Sequence, residues 1–127
     1  ILGEGAINDS DYQKALSARA SLQQTYAAYF KNHRLDAIIF PTTPLPARAI
    51  ENSLVTVELN GKQAPTFQTY IRNTDLASVL GVPGVSLPMA KTADGLPVGI
   101  ELDGPLNSDR RLLAIAVQLE KLIGKVL

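Results

Sequence analysis

The sequence contains no cysteine and no tryptophan, and His33 is the only histidine among its 127 residues. Without cysteine no disulfide can form, and a tetrahedral zinc site built from cysteine and histidine is excluded as well. Counting does not exclude a carboxylate site for magnesium or calcium, but no group of aspartates has the spacing of a calcium-binding loop. We therefore expect neither a metal ion nor a cofactor.

The sequence also lacks net charge and long apolar runs. Lysine and arginine number 12, aspartate and glutamate number 12, and the formal charge is +0 at pH 7. No positive field is then available to attract a phosphate backbone or anionic lipid headgroups. Apolar runs such as residues 37–40 are far shorter than the roughly 20 residues that span a bilayer. The sequence therefore predicts no nucleic-acid partner and no membrane partner.

The length of 127 residues corresponds to one domain. A chain of this size buries roughly two-thirds of the surface that it exposes when unfolded. The first residue is Ile1, and no basic segment followed by an apolar one comes after it, which indicates a piece of a longer chain rather than an exported protein. We expect a single domain over residues 1–127 and a cytoplasmic location.

Helical periodicity marks three segments: residues 9–32, residues 65–80, and a segment that begins after Asn107 or Ser108. The first is expected to begin with Asp9 or Ser10 as its N-cap. Gly81 supplies a stop signal for the second. The third is apolar over more than half of its circumference, which is typical of a helix that is packed on two sides.

Strand patterns separate these helices. Residues 35–41 form a continuous apolar run, typical of a strand covered on both faces. Residues 53–58 alternate and lead to Asn60-Gly61, the dipeptide favoured in two-residue hairpin turns. Residues 85–90 and 98–102 predict two further strands joined by a loop. Strands interleaved with helices predict an α/β fold, with a mixed β-sheet flanked by helices that contains antiparallel hairpins and parallel pairs across helical crossovers.

Ser86 is the most tempting nucleophile, because it follows Gly84 by two positions as in a hydrolase elbow. The elbow requires a second glycine two residues after the serine, and Pro88 stands there, so we interpret Ser86 as structural. His33 stands among basic residues at the end of a predicted helix, where the helix dipole and solvent exposure account for it. By themselves the residues predict no catalytic constellation.

Arg110 and Arg111 lie in the first turn of the last predicted helix, where they oppose the helix dipole. Two interpretations remain open. Either the pair binds an anion or a carboxylate from another domain, or it is solvated.

Three blocks of sequence stand in order along the chain: Asp-Ala-Ile-Ile-Phe-Pro-Thr-Thr-Pro at 36–44, Leu-Gly-Val-Pro-Gly-Val-Ser-Leu-Pro at 80–88 and Gly-Leu-Pro-Val-Gly-Ile-Glu-Leu-Asp-Gly-Pro at 95–105. A helix containing Gln118-Leu119-Glu120 follows. In order and spacing, over nearly the whole chain, they resemble the C-terminal portion of an enzyme of the amidase signature family. Residues 8–12 and 71–74 are most similar to its aryl-acetamide type, such as indoleacetamide and mandelamide hydrolases.

The resemblance implies an amidase that hydrolyses small amides with an apolar or aryl acyl group. The implied triad is a serine nucleophile, a second serine in a cis peptide and a lysine, with backbone N–H groups holding the oxyanion. In the family these residues lie in a lysine-bearing segment and a Gly/Ser-rich signature upstream of this portion, and the sequence contains no Gly-Gly-Ser-Ser run. We therefore expect a C-terminal fragment that is inactive alone, and we assign no catalytic residue within it.

The same resemblance places candidate substrate-binding residues in two segments, the loop after residue 41 and one face of the second predicted helix. These candidates are Thr42, Thr43, Phe67, Tyr70, Ile71 and Thr74. Ile71 stands where glutamine-specific relatives carry an aspartate for the substrate amine, which favours an apolar acyl group. The alternative is that all six are ordinary core and loop residues.

The expected partner of the full-length enzyme is a small-molecule amide. The exposed apolar faces of the fragment favour, in addition, a homodimer. The alternative function is an interaction module related to the amidotransferase A subunit, which pairs with another chain.

Overall fold

The computed structural model describes residues 7–124, so both ends of the domain expected over residues 1–127 lie outside it. The elements are α1 (Asp9–His33), β1 (Ile38–Pro41), a 3₁₀ turn (Ile50–Asn52), β2 (Thr56–Leu59), β3 (Lys62–Pro65), α2 (Thr66–Ile71), α3 (Asp75–Leu80), β4 (Gly84–Lys91), β5 (Pro97–Asp103) and α4 (Asp109–Ile123). None of these helices is both long and apolar enough to cross a membrane.

Strands β1, β5 and β4 form a three-stranded sheet in that order, and helices pack beside it. The expected α/β class, a sheet flanked by helices, is confirmed. Every strand pair described between residues 7 and 124 is antiparallel, however, so the expected parallel pairs are not found there. The crossover through α2 and α3 does join two strands that run in the same direction, β1 and β4. Because β5 inserts between them, each has an antiparallel neighbour instead.

The predicted hairpin at Asn60-Gly61 is confirmed. Asn60 and Gly61 have φ values of 53° and 76°, the positive pair that a type I′ turn requires. The flanking strands pair from Thr56 with Pro65 to Leu59 with Lys62.

The prediction of a single helix over residues 65–80 is wrong, because the helix is interrupted between α2 and α3. Asn73 lies in the break, and its Nδ2 donates to the carbonyl of Pro41 at 2.7 Å. The Thr74 backbone N–H donates to the Ile71 carbonyl at 3.1 Å and closes a turn there. The interruption of the helix thus coincides with a side-chain hydrogen bond to the end of β1. The stop at Gly81, whose φ is 69°, is confirmed.

The N-cap of α1 is Asn8, so the expectation of Asp9 or Ser10 is wrong. Asn8 Oδ1 accepts from the Asp11 N–H at 2.9 Å, which satisfies one of the free donors of the first turn. At the other end, Arg34 adopts a left-handed conformation with a φ of 54°. Only Phe30 of this 25-residue helix is buried.

The apolar core is small and lies between the helices and the sheet. Its buried side chains are Phe30, Val57, Ala77, Leu80, Leu102, Leu112 and Ala116. Two packing expectations are not met within residues 7–124. Ile39 on β1 is 54% exposed, so the strand is not covered on both faces, and Leu122 on α4 is 83% exposed, so that helix is packed on one side. Within residues 7–124, no other segment buries Ile39 or Leu122.

Candidate functional site

The loop that follows β1 carries the first two candidates, Thr42 and Thr43. The Thr42 N–H donates to the Gly99 carbonyl at 3.0 Å and so continues the pairing between β1 and β5. The Thr42 and Ser86 hydroxyls share a hydrogen bond of 2.5 Å. Thr43 Oγ1 donates to the Leu45 carbonyl at 2.8 Å. Thr42 is therefore held by the sheet, whereas Thr43 shapes its own loop.

The other four candidates lie on α2 and directly after it. Phe67 is 69% exposed, and Ile71 is half-buried. The Tyr70 hydroxyl donates to the Pro46 carbonyl at 2.8 Å. Thr74 Oγ1 donates to the Ile71 carbonyl at 3.3 Å, within its own turn.

The structure brings the two candidate segments side by side. Tyr70 binds the loop at Pro46, and Asn73 binds it at Pro41, so two side-chain hydrogen bonds hold the α2 region against residues 41–46. Asn73 was not among the candidates. The signal that could have found it is a side-chain amide at a helix break, because asparagine competes for backbone hydrogen bonds where a helix ends.

A row of polar groups, also missed from the sequence, crosses one face of the sheet beside Thr42. Ser86 pairs with Glu101 across β4 and β5, and Gly84 pairs with Asp103. Since side chains alternate along a strand, Glu101 and Asp103 point to the same face. The available signal was the alternation in β5 of a glycine and two carboxylates among apolar residues.

Two glycines leave room for this row. A Cβ atom at Gly99 would lie 2.7 Å from Thr42 Oγ1 and 3.1 Å from Ser86 Oγ. One at Gly84 would lie 2.8 Å from Asp103 Oδ1 and 3.1 Å from Glu101 Oε1. Contacts below about 3 Å require a displacement, so any larger residue at either position would disturb the row.

The two carboxylates are buried, Glu101 with 9% and Asp103 with 1% of its surface exposed. Burial raises the pKa of Glu101, while a hydrogen bond from Thr42 opposes that rise. Burial and the charge of Glu101 together raise the pKa of Asp103 to about 6. Across from them, burial and the charge of Asp103 raise the pKa of Tyr26 to about 12. Neither oxygen of Asp103 has a hydrogen-bond partner among the described residues, and neither does the Tyr26 hydroxyl.

Similarity to a known family extends over most of the chain. The family model described as Amidase matches residues 1–113. The chain belongs to the amidase signature family. The resemblance of the three sequence blocks to that family is thereby confirmed.

Two curated relatives of this amidase chain are named as hydrolases. Indoleacetamide hydrolase of Rhizobium radiobacter is 50% identical over 119 residues, which cover 93% of this chain and 25% of the relative. Mandelamide hydrolase of Pseudomonas putida is 41% identical over 125 residues, or 97% of this chain and 23% of the relative. The chain thus spans about a quarter of the length of the curated relatives that it matches.

A solved structure gives the same family. The chain superimposes on 26% of a crystal structure of an amidase with a TM-score of 0.82, at 31% identity and over 93% of its own length. A score at this level supports the arrangement of elements described above.

Two residues of this amidase chain that we considered as catalytic candidates lie apart. Ser86 binds Thr42, whereas His33 is exposed at the end of α1, with its ring centroid 4.5 Å from that of Tyr29. Across residues 7–124, no group of three histidine, aspartate or glutamate residues is arranged to hold a metal ion.

An open groove with a volume of about 690 Å³ runs between α4 and the segment that leads into β1. Its apolar lining includes Leu35, Ile39 and Leu119. At its rim Arg111 forms an ion pair with Asp36. Arg111 thus pairs with a carboxylate of its own domain rather than of another one, and both side chains of this pair, like Arg110, remain exposed.

Proposed function

We propose that this chain is the C-terminal part of an amidase that hydrolyses the C–N bond of small apolar or aryl amides. Family membership supports the reaction class. The observation that carries the substrate class is the 50% identity to an indoleacetamide hydrolase, together with the 41% identity to a mandelamide hydrolase.

The serine, second serine and lysine that perform the hydrolysis are proposed to lie in a segment outside this sequence. The absence of a Gly-Gly-Ser-Ser run from the 127 residues and the coverage of a quarter of each relative both support this. The chain is then inactive alone. Its contribution is to the sheet that carries the site and to one wall of the acyl pocket.

The proposed wall consists of α2 and the loop 41–46, which Tyr70 and Asn73 hold together. Phe67, at 69% exposure, presents an aromatic ring, and Ile71 adds an aliphatic surface with no charge. Such a wall favours an aromatic or aliphatic acyl group, because it offers apolar area and no ion-pair partner. The hydroxyls of Thr42 and Thr43 already have partners within the chain, so their role is to fix the shape of the loop.

A chimera tests the proposal. This chain replaces the matching quarter of the Rhizobium radiobacter indoleacetamide hydrolase, and hydrolysis of indoleacetamide is followed by ammonia release. We expect the chimera to be active and the isolated 127-residue chain to show no turnover. Turnover by the isolated chain, or a folded chimera without activity, would contradict the proposal.

The pocket wall is tested in the same chimera with Phe67→Ala. Loss of an aromatic contact worth about 1–2 kcal/mol raises KM for indoleacetamide roughly 5- to 30-fold, with a smaller effect on acetamide. Leu106→Ala is the matched control, since Leu106 is a 50% exposed apolar residue in the loop between β5 and α4. Equal effects of the two substitutions on indoleacetamide would place Phe67 outside the pocket.

A further inference from the structure

The buried carboxylates of Glu101 and Asp103 have no part in the proposed pocket. They stand two positions apart on β5 and border the same small space beside Gly84, where a Cβ atom would lie 2.8 Å from Asp103 Oδ1 and 3.1 Å from Glu101 Oε1. Asp103 is 1% exposed, and neither of its oxygens has a hydrogen-bond partner among residues 7–124. Two ionised carboxylates that are this close and shielded from water repel each other strongly, because little solvent screens their charges.

No cation compensates these charges in the described part of the chain. The ion pairs there are Lys14 with Asp11 and Arg111 with Asp36. The basic side chains of α1 are all exposed: Lys14 pairs with Asp11, Arg19 Nε donates to the Val79 carbonyl at 2.7 Å, and Lys31 and His33 lie in the last turn. The remaining elements near this face contribute few ionisable groups. There are none on β1; β4 has Lys91 at its far end, and α3 has Asp75 at its first residue. Helix α4 carries Asp109, Arg110, Arg111, Glu120 and Lys121, but it packs on the opposite face of the sheet, beside Leu102.

The group that faces Asp103 from α1 is Tyr26. Its hydroxyl is buried without a partner among the described residues, and the negative charge of Asp103 acts on it. The Tyr26 ring packs on Phe30, the buried residue of α1, with 4.8 Å between ring centroids. The charge of Asp103 therefore acts on Tyr26, where α1 packs beside the sheet.

We infer that Asp103 and Glu101 share one proton in the folded chain, that Asp103 carries it, and that its loss weakens the contact of α1 with β5. Asp103 is the more deeply buried of the two, with 1% of its surface exposed against 9% for Glu101, and neither of its oxygens has a partner within residues 7–124, so the neutral form is favoured more strongly at Asp103. Neutral Asp103 has an O–H to donate, and the carboxylate of Glu101, which borders the same space beside Gly84, is the acceptor on its own strand.

The direction of the pH effect follows from proton linkage. The pKa of Asp103 is raised to about 6 in the folded chain, while an aspartate in an unfolded chain has a pKa of about 3.9. Between these values the folded state binds more protons than the unfolded state, so stability falls as pH rises from about 4 to about 6 and then levels off. The raised pKa of Glu101 acts in the same direction.

The test compares the 127-residue chain with Asp103→Asn by urea denaturation at about pH 5 and about pH 7.5. We expect the wild-type midpoint to fall over this range, and the variant midpoint to fall less and to exceed the wild-type value at the higher pH, because only Glu101 then contributes to the pH dependence. Asp94→Asn, in an exposed turn, is the control and should fall as the wild type does. An Asp103→Asn variant with the wild-type pH dependence overturns the inference.

Carboxyl ¹³C titration of the wild-type chain measures the pH at which Asp103 loses its proton, so it tests the inference even if the variant does not fold. An Asp103 resonance that titrates near pH 6 supports the shared proton, and one that titrates at or below about pH 4 refutes it. Amide exchange around Tyr26, corrected for its intrinsic pH dependence, reports on the helix contact. Protection there should fall several-fold across the same titration, and constant protection would refute the link to α1.

Discussion

Gly81 and Gly84 stand three residues apart, yet glycine is needed at each for a different reason. Gly81 has a φ of 69°, in the left-handed region that ends α3. Gly84 lies in a strand with ordinary backbone geometry, and there the limit is space, because a Cβ atom would meet the Asp103 carboxylate at 2.8 Å. One glycine is thus required by the backbone and the other by its neighbours.

Gly81→Ala tests the backbone cost together with a contact. A Cβ atom at Gly81 would lie 2.5 Å from Arg19 Nη2, so the guanidinium must shift, which disturbs the hydrogen bond from its Nε to the Val79 carbonyl. We expect a loss of about 1–2 kcal/mol from the left-handed conformation and about 1 kcal/mol more from the hydrogen bond, measured by urea denaturation.

Gly95→Ala is the matched control for that measurement. Gly95 has a φ of 83°, and a Cβ atom added to it would have no neighbour within 4 Å, so only the backbone cost applies. If both variants lost the same free energy, the contact with Arg19 would have no stabilising role.

Local patterns were sufficient for some residues and not for others. The turn at Asn60-Gly61 and the stop at Gly81 follow from positive φ angles that few residue types tolerate. The N-cap of α1 could not be chosen, because Asn8, Asp9 and Ser10 are all capable caps in a row. Burial of Glu101 and Asp103 was equally hidden, since a carboxylate near the end of a strand usually faces water.

At the scale of elements, α1 contacts α3 through polar side chains rather than through an apolar face. Arg19 Nε donates to the Val79 carbonyl at 2.7 Å, and Gln23 Nε2 donates to the Leu80 carbonyl at 2.6 Å. Both acceptors belong to the last turn of α3, whose carbonyls have no partner within the helix. Each bond therefore satisfies a group that the short helix leaves free.

Asn8→Ala tests the start of α1. The variant loses the side-chain acceptor for the Asp11 N–H, which lies at 2.9 Å, and a lost cap costs about 0.5–2 kcal/mol of helix stability. Because α1 is so little buried, we expect fraying of its first turns, seen as faster amide exchange at Asp11 and a small loss of helical circular dichroism. Asn8→Asp retains an acceptor and should behave as the wild type, and unchanged exchange in Asn8→Ala would show that the cap is dispensable.

Element types could be predicted from periodicity, but contacts distant in sequence moved their limits. The break between α2 and α3 is accompanied by the bond from Asn73 to Pro41, 32 residues earlier. The candidate pocket depends likewise on the bond from Tyr70 to Pro46, 24 residues earlier. Neither bond can be predicted from the spacing of apolar residues along the sequence. The family blocks located the two candidate segments, whereas their apposition required the fold.

At the scale of the whole molecule, large apolar side chains remain uncovered in the described part of the chain. They include Tyr12, Leu16, Leu22 and Tyr29 on α1, Ile39 on β1, and Leu113, Val117 and Leu122 on α4. Large apolar side chains exposed in this number are typical of an interface. It agrees with the proposal that further parts of an amidase cover this chain.

The isolated chain is therefore expected to self-associate, as the homodimer hypothesis requires. Light scattering across a concentration series should show a mass above 13.6 kDa, and Leu122→Glu, beside the groove, should lower the association. Arg110→Glu, a charge change on the exposed part of α4, serves as the control. A monomer at every concentration would exclude the homodimer and weaken the alternative of an interaction module.

Strand order belongs to this scale and was not predictable. The apolar pattern of β5 is compatible with pairing to β1, to β4 or to both. The central position of β5 in the sheet therefore depends on how the whole sheet packs.

That central place has a consequence for growth of the sheet. With β5 in the middle, β1 and β4 are both edge strands of the described sheet, and each offers main-chain groups on its outer side. Pro41 and Pro88 each remove one N–H donor, so the outer rows are interrupted but not closed. The described sheet can therefore accept a new strand by backbone hydrogen bonding on either side.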